Sequence, residues 1–324
     1  MDLNNYTPYP ALLSRFVVDP ERDLMGSALV ARVTYDVIGN GLVPSNEQTW
    51  KVSPRPWECP YGAMEADDAF YKGATDIFLF GCARSPGKRP VSALNVTIQV
   101  GAFRRQVLVL GDRVWLAGRA KNTLVAGPPQ RFVEMPLTLD RAFGGRAEWD
   151  GLKVPFADNP SGKGFYLELE QAEGHALPNL EDPQHLVQRW DERPFPVGLA
   201  VCPMCHSGRI KNGTEFDEEG VLVKLDARFF NAAFPEMLAY DVKPGVPVRI
   251  DGVLHEGSLQ FSVPAIPVVF KLTLDSTPIL GRPAIDQIGI EADLRRVFVT
   301  YRYPFRYVLF PRQQRTAELL LVEG

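Results

Sequence analysis

The amino-acid sequence predicts a mainly β protein with few short helices, arranged as two sheet-rich, sandwich-like lobes joined by a bridging segment. Apolar residues recur at every second position in several runs, which is the pattern of strands with one face on a core. The 27 glycines and 28 prolines among 324 residues exceed the usual combined share of roughly 12%. Such a composition favours many turns and short strands over long helices.

The first block of strand patterns lies near the amino terminus. Its predicted strands cover residues 29–37, 94–100, 103–110 and 114–116. In the first of them apolar side chains alternate with Arg32, Thr34 and Asp36, so these three polar residues are expected on the opposite face. Gly101-Ala102 and Gly111-Asp112 interrupt the later runs, which therefore predict a meander.

A second block begins near Val246. Its predicted strands cover residues 248–254, 259–263, 268–274 and 297–303, with a last candidate at 316–322. The two blocks suggest an amino-terminal lobe at residues 1–126 and a carboxy-terminal lobe at 221–324. The bridging segment occupies 127–220 and is too apolar to be a disordered linker. One continuous domain is the alternative arrangement.

Only two helices are predicted. Asp182 and Pro183 supply an N-cap residue and a proline at the first helical position, ahead of residues 184–190. Residues 228–240 form a second candidate, which Pro235 weakens.

Charge and hydropathy exclude several classes of protein. The 35 Lys and Arg residues against 39 Asp and Glu residues leave a net charge of −4, so no nucleic-acid partner is expected. The longest apolar stretches, such as residues 263–270, are interrupted by prolines and fall short of the roughly 18 to 20 residues that cross a bilayer. No membrane partner is expected either. Residues 1–5 are acidic and polar where a secretory signal would be basic, so we expect a cytoplasmic protein.

The motif Cys202-Pro203-Met204-Cys205-His206 formally matches the attachment site of a c-type haem. That attachment requires export, for which the sequence has no signal. Two thiolates and an imidazole could instead supply three zinc ligands, with a fourth from Cys59, His175, His185 or a carboxylate. No second Cys-x-x-Cys pair follows, so two reduced cysteines in a turn are the favoured interpretation. We therefore predict no metal and no cofactor, and Cys202, Cys205 and His206 are the leading candidates if a metal is bound.

No catalytic residue is predicted. The run at residues 161–164 resembles a phosphate loop, but Ala157 and Gly164 stand where that loop requires glycine and Ser or Thr. The spacing of the four histidines suggests no catalytic triad.

Glycine, proline, asparagine and aromatic residues of the bridging segment are the candidate residues for partner binding or for shaping a loop. Glycine permits positive φ and close backbone approach, asparagine closes Asx turns, and aromatic rings anchor loops by burial. The candidates are Phe143, Gly144, Gly145, Trp149, Asn159, Pro160, Gly162, Gly164 and Phe165.

Several of these motifs occur together in one known family. Residues 141–145, 159–165, 177–179 and 229–233, preceded by 75–83 and 111–115, follow the order of an uncharacterised-domain family of bacterial proteins encoded beside type VI secretion effectors. The chain resembles this family from about residue 28 to residue 303. One difference is the lack of a tryptophan after Pro196-Val197-Gly198, where this chain carries the cysteine motif.

The resemblance implies a non-catalytic cytoplasmic adaptor or chaperone. Its partners would be an effector protein and the VgrG-type spike or PAAR-type tip onto which the effector is loaded. Two alternatives from other classes stay open at this point. One is a zinc-dependent hydrolase or carbohydrate-active β-sandwich enzyme centred on Cys202, Cys205 and His206, and the other is a carbohydrate-binding module.

Overall fold

The computed structural model describes residues 1–274, 277–310 and 315–322. Strands dominate this part of the chain, and its two α-helices are short, α1 at Leu169–Ala172 and α2 at Ser207–Gly213. Short 3-10 helices occur at Pro86–Lys88, Leu139–Arg141, Ala227–Phe230, Pro235–Met237 and Ala292–Leu294. The predicted mainly β fold is therefore confirmed. No helix in these ranges combines the length and the apolar character needed to cross a bilayer.

The strands are numbered in chain order. The first fourteen are β1 (Leu3–Asn5), β2 (Ala11–Asp19), β3 (Leu24–Ile38), β4 (Gly41–Pro44), β5 (Trp57–Cys59), β6 (Gly62–Met64), β7 (Thr75–Phe80), β8 (Cys82–Arg84), β9 (Ala93–Val100), β10 (Phe103–Leu110), β11 (Trp115–Ala117), β12 (Leu124–Ala126), β13 (Glu134–Pro136) and β14 (Phe143–Gly144). The others are β15 (Arg146–Trp149), β16 (Leu152–Pro155), β17 (Lys163–Gly164), β18 (Leu180–Glu181), β19 (Thr214–Phe216), β20 (Leu222–Leu225), β21 (Leu238–Ala239), β22 (Pro247–Asp251), β23 (Leu259–Ser262), β24 (Val268–Leu274), β25 (Thr277–Gly281), β26 (Ala284–Glu291), β27 (Arg296–Val308) and β28 (Arg315–Leu321).

Three large sheets form the framework. The seven-stranded sheet has the order β2-β3-β27-β26-β7-β21, with β4 added beside β3. Its neighbouring strands are antiparallel except for the parallel pair of β26 and β7. The five-stranded sheet has the order β18-β10-β9-β22-β23, and the four-stranded sheet the order β1-β28-β24-β25.

Each large sheet joins strands from both ends of the sequence. β3 pairs with β27, β9 pairs with β22, and β1 pairs with β28. Residues 1–126 and 221–324 therefore both contribute strands to each of the three sheets. The physical reason is that period-two patterning specifies which face of a strand is buried, whereas the neighbouring strand is chosen by tertiary packing.

The apolar face of the central strand β3 lies in the main core. Leu29, Ala31 and Val33 are fully buried there, as the alternation at residues 29–37 predicts. The same hydrophobic core contains side chains from all three large sheets, among them Ile98, Val248, Phe270, Leu319 and Val299. Burying each such side chain contributes about 1.5–3 kcal/mol relative to leaving it exposed.

The polar face of β3 is buried as well. The Arg32 side chain is 0% exposed, and its guanidinium donates to the Oγ1 of Thr300 and the Oε1 of Gln287, both at 2.8 Å. It also pairs with the Asp67 carboxylate at 2.5 Å. The carbonyl oxygen of Lys51 is a further acceptor for the Arg32 guanidinium. Segment 51–72, which carries both Lys51 and Asp67, therefore lies against this face.

Asp76 on β7 is the second centre of this buried polar face. Its carboxylate accepts hydrogen bonds from Lys72 Nζ at 2.7 Å, Asn231 Nδ2 at 2.9 Å and Gln287 Nε2 at 3.2 Å. Lys72 is 3% exposed and Asp76 is 0% exposed. A buried charge is tolerated only when paired and hydrogen-bonded, and this arrangement meets that condition.

Neither of the two predicted helices forms, so both predictions are wrong. Residues 184–190 are mostly irregular, and the Asp182 side chain accepts from the amide of Gln184 at 2.9 Å and closes an Asx turn in place of a helix. Residues 228–240 contain two 3-10 helices and then β21, with Pro235 opening the second 3-10 helix. Neither α1 nor α2 was predicted, and α2 begins after His206 in the cysteine motif.

Replacing Asp76 by alanine is expected to lower the free energy of unfolding by about 3–5 kcal/mol, because it leaves the Lys72 ammonium buried without its closest counter-ion. Urea-induced unfolding measures the change. Arg189→Ala is the matched control, since it removes a surface ion pair with Asp191 and should have no measurable effect. Equal effects of the two substitutions would contradict the importance of the buried network.

Candidate functional site

Several predicted residues of the bridging segment meet where two chain segments cross: Gly144, Gly145, Asn159, Gly162 and Gly164. β14 and β17 pair in parallel at this crossing. Gly144, Gly145 and Gly164 have φ angles of 147°, 110° and 103°, a region that residues with a β-carbon rarely occupy. The glycines therefore allow the two backbones to lie in direct contact.

Asn159 holds the crossing together from inside. Its side chain is completely buried, and Nδ2 donates to the carbonyl oxygens of Leu139 at 2.8 Å and Phe143 at 3.0 Å. The carbonyl oxygen of Asn159 accepts from the amide of Gly145 at 2.8 Å. A β-carbon on Gly144 would overlap with Asn159. Asparagine and glycine thus shape this loop together, as their residue types suggest.

A polar cluster lies next to the crossing and joins motifs that are distant in sequence. The Asp112 carboxylate accepts from Asn179 Nδ2 at 3.1 Å and lies 3.4 Å from Lys163 Nζ and 3.5 Å from Arg141 Nη1. The hydrogen bond from Asn179, with the two cations, lowers the pKa of Asp112 below its usual value. Asn179 also donates to the Leu110 carbonyl at 2.9 Å, which ties the cluster to the end of β10.

The aromatic candidates divide into buried and exposed residues. Phe143 and Phe165 are 2% and 7% exposed, and Phe156 lies between them with ring centroids 5.1 and 5.4 Å away. Their small core also includes Trp115, Leu177 and Val187. Both side chains are therefore placed to shape the loop by burial. Trp149 and Pro160 are exposed.

A groove with a volume of about 840 Å³ runs beside this crossing. Buried apolar side chains line it, and exposed Leu186 and Phe195 extend the apolar surface. Charged side chains also border it. The buried apolar lining residues are Phe143, Leu180, Val187 and Val197, and the acidic and basic ones are Arg105, Glu181, Asp182, Glu192, Arg193 and Glu236. An apolar centre surrounded by polar groups is typical of protein–protein interfaces.

Two acidic residues hold one wall of the groove in place. Glu181 is 2% exposed, forms an ion pair with Arg113, and accepts from the amide of Val187 at 3.0 Å. Burial raises the pKa of Glu181, and Arg113 opposes that rise. Asp182 pairs with Arg105 of β10 at 3.0 Å. The wall formed by residues 182–188 is thus attached to the five-stranded sheet.

Phe195 stands between two prolines at the opposite side of the groove. Its side chain is 58% exposed, and its ring centroid lies 5.9 Å from that of His206. Pro194 and Pro196 restrict the backbone on both sides. Little backbone entropy is therefore left to lose when Phe195 contacts a partner.

The side chains of the cysteine motif lie in different environments. Cys202 is buried, and burial raises the pKa of its thiol. Cys205 is exposed. His206 Nδ1 accepts from the amide of Gly208 at 3.1 Å and is the N-cap of α2. Within residues 1–274, 277–310 and 315–322, no group of three or more His, Cys, Asp and Glu residues is placed to hold a metal ion.

Residues 25–302 match a family described as an uncharacterized protein conserved in bacteria, DUF2169. The chain belongs to the DUF2169 family. The matched range includes every motif on which the sequence resemblance rests, from residue 75 to residue 233. No curated protein and no solved structure matches this DUF2169 chain.

Sequence reasoning did not find the groove of this DUF2169 protein. Arg105, Glu181 and Phe195 come from separate segments, and only the folded chain brings them together. One local signal was available, because an aromatic residue between two prolines, as in Pro194-Phe195-Pro196, is rigidly presented. The polar residues Asp112, Arg141 and Asn179 lie within the family motifs, but the sequence alone does not indicate that their side chains meet.

Gly144→Ala is expected to destabilise the protein more than Gly151→Ala. Both glycines have positive φ, at 147° and 74°, which costs an alanine about 1–3 kcal/mol. Only at Gly144 does the added β-carbon also overlap with the Asn159 backbone, whereas nothing lies within 4 Å of it at Gly151. Thermal and urea unfolding of the two variants compare the effects. A smaller loss for Gly144→Ala would contradict the role of the crossing.

His206 makes part of the stability pH-dependent. Burial holds the pKa of His206 below its usual value of about 6.5. The unfolded chain therefore takes up the proton first as the pH falls. The stability contributed by neutral His206 is present above pH 6.5 and is lost as the pH falls through the folded-state pKa.

His206→Asn keeps an acceptor at the N-cap without this titration. Between about pH 7.5 and pH 5 the native protein should lose stability relative to the variant, as measured by urea unfolding at each pH. Parallel pH profiles for the two proteins would rule out a contribution from His206.

Proposed function

We propose that this DUF2169 protein is a non-catalytic cytoplasmic adaptor or chaperone that binds a type VI secretion effector and promotes its loading onto the VgrG/PAAR spike. The observation that carries the binding function is the groove of about 840 Å³ beside the glycine crossing. One family motif contributes to it, since Phe143 of the motif at 141–145 lines the groove. The secretion context rests on the family resemblance.

The groove is suited to an apolar anchor from a client protein. Its buried lining includes Leu180, Val187 and Val197, and Phe195 offers an exposed ring. Interface residues that dominate binding energy are usually aromatic or arginine side chains near an apolar centre. Arg193 lies beside Phe195 with its guanidinium 4.9 Å from the Phe165 ring centroid, so the loop-shaping aromatics also hold this part of the groove.

Rigidity supports the same function. The Asn159 hydrogen bonds, the Glu181 anchor and the two prolines around Phe195 set the groove before a client arrives. A preorganised surface loses less conformational entropy on binding than a mobile one. An unstable apolar segment of an effector would be covered here until it is handed to the spike.

Phe195→Ala is expected to weaken capture of the effector encoded beside this gene by about 2 kcal/mol or more, the loss typical of an aromatic hot spot. The measurement is co-expression of tagged protein and effector, followed by pull-down and titration of the purified partners. Phe310→Ala is the matched control, because Phe310 has a similar exposure of 54% and lies outside the groove.

Failure of the native protein to retain the effector would count against the adaptor function. Equal capture by correctly folded Phe195→Ala and Phe310→Ala variants would remove the groove as the contact surface.

A further inference from the structure

A second surface of this protein has the properties of a binding site that the groove does not include. β19 and β20 form a hairpin that pairs with no other strand of the described chain. Apolar side chains are exposed on it, with Phe216 at 52%, Val223 at 57% and Leu225 at 46%. Because neighbouring strand residues point to opposite faces, neither face of this hairpin is covered by the core.

The hairpin is held by its own hydrogen bonds. The Asp217 carboxylate closes the turn by accepting from the amides of Glu219 at 3.1 Å and Val221 at 2.7 Å. At the base, the Asp226 amide donates to the Gly213 carbonyl at 2.8 Å. Successive amides of a strand point in opposite directions, so the Leu225 amide points away from β19. The outer edge of β20 is therefore a template for another strand.

The charge of the hairpin selects the kind of strand that fits. Four carboxylates lie within residues 215–219, and Lys224 pairs with Glu215 at 3.8 Å. The Asp217 carboxylate already accepts the two hydrogen bonds that close the turn. Glu218 and Glu219 form no ion pair with another residue of the described ranges. A partner strand with Lys or Arg residues is attracted to this edge, whereas an acidic strand is repelled.

The hairpin is connected to the groove through α2. His206, whose ring lies beside Phe195, caps α2, and α2 leads directly into β19. Seven helical residues span roughly 10 Å. A client segment of a few extended residues can therefore contact both Phe195 and the edge of β20.

We propose that the outer edge of β20 binds an extended, positively charged segment of the client protein by adding it to the hairpin as a third strand. Main-chain hydrogen bonds supply affinity in this mode, and the apolar side chains of both strands supply contacts on alternate faces. The inference rests on the proposed function and adds to it the chemistry of the client segment: alternating apolar residues with Lys or Arg between them.

The probe is a fluorescein-labelled peptide of about eight residues with alternating valine and lysine, a typical strand length. Its counterpart with glutamate in place of lysine is the charge control. Fluorescence anisotropy with the full-length protein should show binding of the lysine peptide alone, and added salt should weaken it. Hydrogen exchange should slow at residues 221–225 when the lysine peptide is bound.

Two variants test the edge itself. Glu218→Lys combined with Glu219→Lys should weaken binding of the lysine peptide about tenfold or more. Leu225→Pro should abolish binding, because it removes an outward-pointing amide that edge strands can lose without unfolding. Glu168→Lys combined with Glu170→Lys makes the same change in net charge on exposed residues elsewhere and should alter affinity by less than about twofold. Thermal melting confirms that each variant is folded.

Equal binding of the two peptides, equal weakening by both double variants, or unchanged exchange at residues 221–225 would overturn the proposal. So would a dimer of the native protein that Leu225→Pro dissociates while no peptide binds, because the occupant is then a second copy. If Leu225→Pro leaves effector capture unchanged, the strand-edge proposal is wrong and the adaptor function still stands. If the peptide binds at the edge but the effector is not captured, the adaptor function is wrong and the β20 edge is still a peptide-binding site.

Discussion

The burial of charged groups on the central strand is the constraint on which the rest of the fold depends. Arg32 is completely enclosed, and its partners Asp67, Gln287 and Thr300 come from segments far apart in the chain. An uncompensated charge in this position would cost several kcal/mol, so β3, β26, β27 and segment 51–72 must assemble together. The two ends of the sequence are thereby joined into one set of sheets.

The candidate site is built on that framework through the five-stranded sheet. Leu180 of β18 pairs with Val109 of β10 and forms a bridge with Ala142. This links the glycine crossing, which Asn159 holds from inside, to the main core. The groove therefore has one wall on a large sheet and another on a loop that has few alternative conformations. A binding surface positioned in this way keeps its shape without a bound partner.

The groove and the hairpin differ in what they offer a partner. The groove presents an apolar lining bordered by charged groups, of which Arg105 and Asp182 pair with each other. The hairpin presents an unpaired strand edge and carboxylates without an ion-pair partner among the described residues. Exposed apolar patches and open strand edges are normally avoided because they promote association. The short helix α2 connects the two surfaces, because His206 beside Phe195 caps it and β19 follows it.

Local pattern was sufficient to predict the mainly β class and strands such as β3, β9, β10 and β24, but not β2, β7 or β26. Period-two alternation specified the faces of β3, and the glycines near Asn159 indicated close backbone contact, because both properties depend on a residue and its immediate neighbours. Helix signals failed at residues 184–190, where an aspartate that can cap a helix closed an Asx turn instead. Strand partners, the burial of Arg32 and the groove were decided by tertiary structure alone. These features join residues such as Arg105, Glu181 and Phe195, and no local property of the chain encodes which distant segments will meet.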